Sequence, residues 1–246
     1  MIILETENIS KSYLGQPVIG DISISLQQGE TVGLLGVSGS GKSTLFNIVS
    51  GVMPPDRGLV LLNGIDITGQ TGYISYMQQK DLLLPYKTIL DNVALPLIIK
   101  GDSKKHAHAV ALQNFAQFGL EGTAAKYPAQ LSGGMRQRAA LLRTHLFTGD
   151  VALLDEPFSA LDAITKRKIH RWYLNLIAEL SMSTIFITHD IDEAILLSDR
   201  IYIMTGIPGR IRHELKIELP HPRAIDFNTS EQFMLYKRQI LELLHI

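Results

Sequence analysis

The rhythm of apolar and polar positions changes several times along this chain of 246 residues. From Met1 to Tyr13 the two classes alternate, the period of a strand with one covered face. Thr31 to Leu35 reads as a buried strand, and Leu45 to Ser50 as a helix stopped by Gly51, with Pro54 and Pro55 beyond it. Asn63-Gly64, between Leu59 to Leu62 and Ile65, is a tight-turn signal inside a β region. From Thr88 to about Phe118 the pattern becomes helical, broken at Gly101-Asp102-Ser103 and rich in alanine from Ala107 to Ala116.

Strands and helices then alternate. A helix from Ser132 is followed by a strand at Val151 to Leu154, a helix from about Ala163 to Leu180 and a strand at Thr184 to Thr188. Such alternation predicts a parallel sheet covered on both faces. After Arg200 come a strand pair, a connector at Pro220 to Pro222 and a final amphipathic helix, for which Thr229 and Gln232 make a capping box. The expected class is therefore α/β: an N-terminal antiparallel β region, a mixed or parallel core sheet and an inserted helical subdomain at about 86–148, within one domain spanning 1–230, and a short C-terminal helix over 229–246.

Composition narrows the function classes only a little. A formal net charge of -1 removes the broad positive field expected of a nucleic-acid binder, so none is expected as a partner. The absence of cysteine excludes disulfides and thiolate metal sites. The first residues lack the basic start and apolar run of a secretory signal, and the most apolar stretch, Val93 to Ile99, is too short to span a bilayer. Work at a membrane would need another chain to cross it.

Three segments carry chemistry. Gly36-Val37-Ser38-Gly39-Ser40-Gly41-Lys42-Ser43 matches the phosphate-loop pattern between a predicted strand and a predicted helix that takes in Thr44. Glycines there let consecutive N–H groups face an anion, the helix start adds partial positive charge, Lys42 reaches terminal phosphates and the Ser43 hydroxyl can ligate Mg²⁺. Val151 to Leu154 ends in Asp155 and Glu156 at the sheet edge where α/β proteins bind ligands. Asp155 would hold the Mg²⁺ shell through water, and Glu156 would deprotonate the attacking water. An acidic pair after a strand is by itself more often a helix cap; beside a phosphate loop the catalytic reading wins. Leu131-Ser132-Gly133-Gly134-Met135 opens a helix with a serine cap and exposed amides, a second anion-binding surface on one chain.

With that third segment the chain resembles the ABC ATPase family over nearly its whole length. The resemblance implies a P-loop NTPase with a RecA-like core, using ATP and Mg²⁺. Ser132, Gly133 and Gly134 would be signature-motif contacts to nucleotide, and Tyr13 would stack on adenine. Gln78, with Gln79 as the competing choice, would join the core to the helical subdomain and sense Mg²⁺. His189 would contact the γ-phosphate, and Ser159, Ala160, Leu161 and Asp162 would communicate across a dimer. The family commonly has Gln where Met135 stands. His106 and His108 read as a solvated face with no carboxylate partner.

The implied protein is the ATPase subunit of an importer, of the nitrate, sulfonate, taurine or pyrimidine-precursor type. It would form an ATP-sandwich homodimer on a separate integral-membrane permease, serve a solute-binding protein indirectly, and sit in the cytoplasm against the inner membrane face. A soluble ABC ATPase, such as an iron–sulfur assembly subunit, is the alternative.

Overall fold

The structure is a computed structural model that describes all residues except 148–150, 160–161, 181, 220–222, 224 and 245–246. The strands are β1 (Ile2–Tyr13), β2 (Gln16–Ile22), β3 (Ser25–Gln27), β4 (Thr31–Gly36), β5 (Arg57–Leu62), β6 (Ile65–Asp66), β7 (Ser75–Met77), β8 (Val151–Asp155), β9 (Ser183–Thr188), β10 (Arg200–Thr205) and β11 (Arg210–Lys216). The helices are α1 (Lys42–Val49), α2 (Ile89–Ile99), α3 (Lys104–Asn114), α4 (Gly133–His145), α5 (Ala163–Leu180), α6 (Ile191–Leu197) and α7 (Glu231–Leu244).

Two sheets share the strands. The N-terminal sheet is antiparallel, ordered β2-β1-β5-β6 with β3 also on β1. The core sheet runs β11-β10-β4-β9-β8-β7; β10, β4, β9, β8 and β7 are mutually parallel, and β11 pairs antiparallel at the edge. Every residue of β4, β8 and β9 is buried, which is why their sequences lack polar alternation.

Three clusters fill the layers. One lies between the N-terminal sheet, α1 and one face of the core sheet, around Leu34, Phe46 and Ile185. A second joins the opposite face to α2, α3, α4 and α5 through Leu154, Phe158, Phe118 and Tyr173. The third seats α6 and α7 on β10 through Ile203, Phe233 and Ile240. Each fully buried aliphatic or aromatic side chain contributes roughly 1.5–3 kcal/mol before conformational entropy is counted.

Helix starts follow their caps. Thr88 accepts from Asp91 N at the start of α2, and Ser103 from His106 N at the start of α3. At α7 the expected cap moves by one residue: Ser230 Oγ accepts from Phe233 N at 3.2 Å, while Thr229 ends the preceding 3-10 turn. The expected solvated His108 is a second correction. Its Nε2 lies 3.1 Å from Asp91 Oδ1, because α3 packs back on α2, whereas His106 is exposed. Thr88, Lys104 and His108 together hold the Asp91 carboxyl down at about 2.

Candidate nucleotide site

Strand β4 delivers its last residue, Gly36, to the C-terminal edge of the sheet, and the chain turns through Val37 to Gly41 straight into α1. Gly39 and Gly41 take positive φ of 80° and 93°, a conformation costly for other residues. The turn is crowded from behind. A Cβ on Gly41 would strike Ile19, and one on Gly36 would strike the Met204 carbonyl.

Lys42 is buried, and its Nζ donates to Gly36 O at 2.9 Å and Val37 O at 2.8 Å. The ammonium thus rests on the loop's own carbonyls, above the space the loop encloses. Burial pulls its pKa below the usual value, against the opposing pull of Glu156 and Asp155. Asp155, at the end of β8, is raised mainly by burial, while hydrogen bonds from Ser43 and Tyr76 oppose that shift. Tyr76 Oη donates to Asp155 Oδ2 at 3.3 Å from β7.

Glu156 occupies the left-handed region at φ 46°, unusual for a non-glycine residue. Its N–H donates to Ile187 O at 3.1 Å, so the neighbouring strand holds the turn. Strain of this kind costs about 1–3 kcal/mol and persists where surrounding structure over-determines it. The carboxylate is held on two sides: His189 Nδ1 is 3.0 Å from Oε1, and Gln79 Nε2 donates to Oε2 at 2.9 Å.

These side chains line one open cavity of about 570 Å³, bounded by Val18, Ser38, Gly39, Gly41, Lys42, Ser43, Thr44, Gln79, Asp155, Glu156, Ile187 and His189. A volume of that size suits a nucleotide-sized ligand. For a divalent cation, the donors present are the Ser43 hydroxyl, the Asp155 carboxylate and the Gln79 amide, all oxygen chemistry. Among the described residues no group of three or more His, Asp or Glu forms a closed cage. A set this sparse fits Mg²⁺ carried on phosphate, which keeps most of its shell from phosphate oxygens and water.

The structure brings Gln79, rather than the expected Gln78, to this cavity. Gln78 is exposed and lines none of it. Strand β7 ends at Met77, and the chain leaves the sheet there, so strand alternation no longer decides which glutamine faces the phosphate loop. Asp81 is then clamped from α4: Arg136 Nε donates to its Oδ2 at 3.1 Å and Arg143 Nη2 to its carbonyl at 2.6 Å. Buried Asn92 fastens the next turn, with Nδ2 donating to Leu84, Lys87 and Thr88 carbonyls and Oδ1 accepting from Leu84 N at 2.6 Å. None of these clamps carries a sequence signal, because an Arg or Asn on a helix reads as surface.

Other expected residues lie elsewhere. Tyr13, at the end of β1, is 41% exposed and touches Met53 Sδ rather than the cavity. Ser132 caps α4, accepting from Met135 N at 3.3 Å, and neither it nor Gly133 nor Gly134 lines the cavity. Gly134 also has a packing reason, since a Cβ there would sit 3.0 Å from Ile169 Cδ1 of α5. Ser159 and Asp162 are exposed; Ala160 and Leu161 lie outside the described residues, as do Pro220 to Pro222.

A further element was not legible in advance. Gly209 N donates to Val18 O at 2.8 Å and its carbonyl accepts from Gly20 N at 3.1 Å, which presses the β10–β11 turn against Ser40. A Cβ on Gly209 would collide with the Ser40 carbonyl. We expect Gly209→Ala to cost about 1–3 kcal/mol through overpacking and to weaken nucleotide binding by displacing the loop. Thermal melting with ATP calorimetry checks this; wild-type values for both would refute it.

The core sheet, the phosphate loop and the acidic strand end define a P-loop ATPase of the ATP-binding cassette type. The chain belongs to the ABC transporter family, whose model matches residues 19–159. It is 45% identical to the formylaminopyrimidine import ATP-binding protein ThiZ of Halalkalibacterium halodurans, over 94% of this chain and 90% of that protein. It is 36% identical to the taurine import ATP-binding protein TauB of Escherichia coli O157:H7, over 87% of this chain and 84% of that protein. Among solved structures it resembles a dimeric ATP-binding cassette in a post-hydrolysis state bound to ADP and Pi, with a TM-score of 0.75 and 31% identity over 89% of this chain and 100% of the other.

Proposed function

We propose that this ABC ATPase is the energy-supplying subunit of an importer, working as a homodimer on the cytoplasmic face of a separate membrane permease. One observation carries the dimer: Lys42, Ser43, Asp155, Glu156, Gln79 and His189 converge on one cavity that the Ser132 to Gly134 helix start does not reach. A twofold axis would set that helix start of one subunit over the cavity of its partner, making two equivalent sites from one self-complementary interface. The dimeric neighbour bound to ADP and Pi supports this reading.

In the proposed site the loop amides and Lys42 bind the phosphates of ATP. Ser43, Asp155 and Gln79 would hold Mg²⁺, which supplies charge neutralisation on the phosphates. Glu156 takes the proton of the attacking water, and His189 orients the terminal phosphate. Gln79 replaces Gln78 in this scheme because it is the one that touches Glu156. Tyr13 would meet the adenine from the rim, and Ser159 and Asp162 would face the partner subunit.

The importer reading rests on the relatives' names and on the surface beside Gln79. No helix among the described residues is long and apolar enough to cross a membrane, so transport would require a separate permease. Leu82 is 49% and Tyr86 72% exposed, while Leu83 is buried in the helical core. Two exposed apolar side chains on a segment clamped by Arg136, Arg143 and Asn92 suit a docking helix of the permease, with a solute-binding protein acting on the far side. Tyr86→Asp is expected to abolish permease co-purification while leaving the subunit's own ATPase rate and melting temperature within error. Retained co-purification, or loss of folding, refutes this placement.

A further inference from the structure

His189 is held at its side chain by a single contact. Its ring is 62% exposed, and among the described residues its one side-chain partner is Glu156. Its position over the cavity is therefore set by the backbone on either side, Thr188 and Asp190. Both residues are tied to one buried network. Thr188 Oγ1 donates to Glu193 Oε2 at 2.6 Å and accepts from Asp190 N at 3.0 Å. Asp190 Oδ1 caps α6, accepting from Asp192 N at 2.9 Å and Glu193 N at 3.2 Å.

The cation that closes this network comes from another element. Lys166 Nζ, on α5, lies 2.7 Å from Asp190 Oδ2 and 2.6 Å from Glu193 Oε1. Glu193 is 4% exposed, and His170 Nε2 approaches its Oε1 at 3.4 Å. Burial would push the Glu193 carboxyl up, but His170, Lys166 and the Thr188 hydroxyl beside it outweigh that and bring it below the usual value. Lys166 also reports on a second region, since its backbone N–H donates to Asp162 O at 2.8 Å. Asp162 Oδ1 accepts from Thr165 N at 3.0 Å, so the first turn of α5 is locked to the residue that precedes it.

We infer that Lys166 is a positioning residue for hydrolysis, holding the Thr188–Asp190 turn so that His189 faces the reacting phosphate. The inference rests on the reading of His189 as a hydrolytic group. A purely structural role, stitching α5 to α6, makes different predictions, because its loss would act on stability and not through His189.

The test is steady-state ATPase kinetics of the full chain with melting temperatures for each variant. Lys166→Met is expected to lower kcat roughly tenfold, with the KM for ATP within about twofold, the size expected inside one hydrogen-bonded network. Lys166→Arg, which keeps the charge and reach, is expected to recover most of the rate. Because Lys166→Met leaves Glu193 buried without its cation, Lys166→Met combined with Glu193→Gln serves as the folding control; it should melt near the wild type and remain slow. Adding Lys166→Met to His189→Ala should cost nothing further. Wild-type turnover in the folded double variant, or the same fold loss in the His189→Ala background, overturns the inference. Full activity of His189→Ala alone would instead overturn the hydrolytic reading on which it stands.

Discussion

Replacing Glu156 with Gln is expected to slow ATP hydrolysis by about 10² to 10⁴-fold while leaving ATP binding intact, the usual contribution of a general base. The carboxylate is well placed for the task. His189 and Gln79 hold its two oxygens at 3.0 and 2.9 Å, on a left-handed backbone at φ 46°. Glutamine has the same shape and keeps an oxygen for one of those contacts, so the turn and the cavity survive while the proton acceptor is lost. The Glu156→Gln protein should accumulate as an ATP-bound dimer and run as a monomer without nucleotide or with ADP. Gel filtration with and without the permease decides the matter. A species that is monomeric in every condition would sink the cross-subunit site, and a wild-type hydrolysis rate would remove Glu156 from the base role.

Lys42→Ala is expected to abolish hydrolysis by weakening nucleotide binding. Each charge-assisted hydrogen bond lost to phosphate costs about 1.5–3 kcal/mol, roughly a 10- to 150-fold rise in the dissociation constant per bond. The ammonium is held within the loop by the Gly36 and Val37 carbonyls. That preorganisation lowers the ordering cost of binding, and alanine forfeits it together with the charge. Among the described residues, no second lysine or arginine lines the cavity to take over. Calorimetric titration with ATP measures the effect; an unchanged dissociation constant would mean that Lys42 does not meet phosphate.

What could be read from sequence shares one property: it depends on residues close together in the chain. The phosphate loop needs its glycines, Lys42 and Ser43 within eight consecutive positions, because one strand–turn–helix unit builds the whole anion cradle. Buried parallel strands announce themselves as apolar runs, so β4, β8 and β9 are legible, and Ser132 marks a helix start as a cap. Short-range rules failed where neighbouring residues offered equal local chemistry. Gln78 and Gln79 differ only in which way the chain leaves β7.

Tertiary structure alone decided the rest, because contacts between distant residues leave no periodic trace. Glu30 and Arg200 are 170 positions apart, yet Arg200 Nε donates to Glu30 Oε1 at 2.5 Å and fastens β10 beside β4. Gly209 against Ser40, Arg143 against Asp81, and Lys166 between Asp190 and Glu193 are of the same kind. Such residues look like ordinary surface or turn positions until the sheet order brings their elements together. Local sequence suffices for the phosphate-loop pattern, since its glycines and Lys42 belong to a single strand–turn–helix unit. The alignment of Glu156, Gln79 and His189 required the fold, since three separate strands must end at one edge before those side chains can meet.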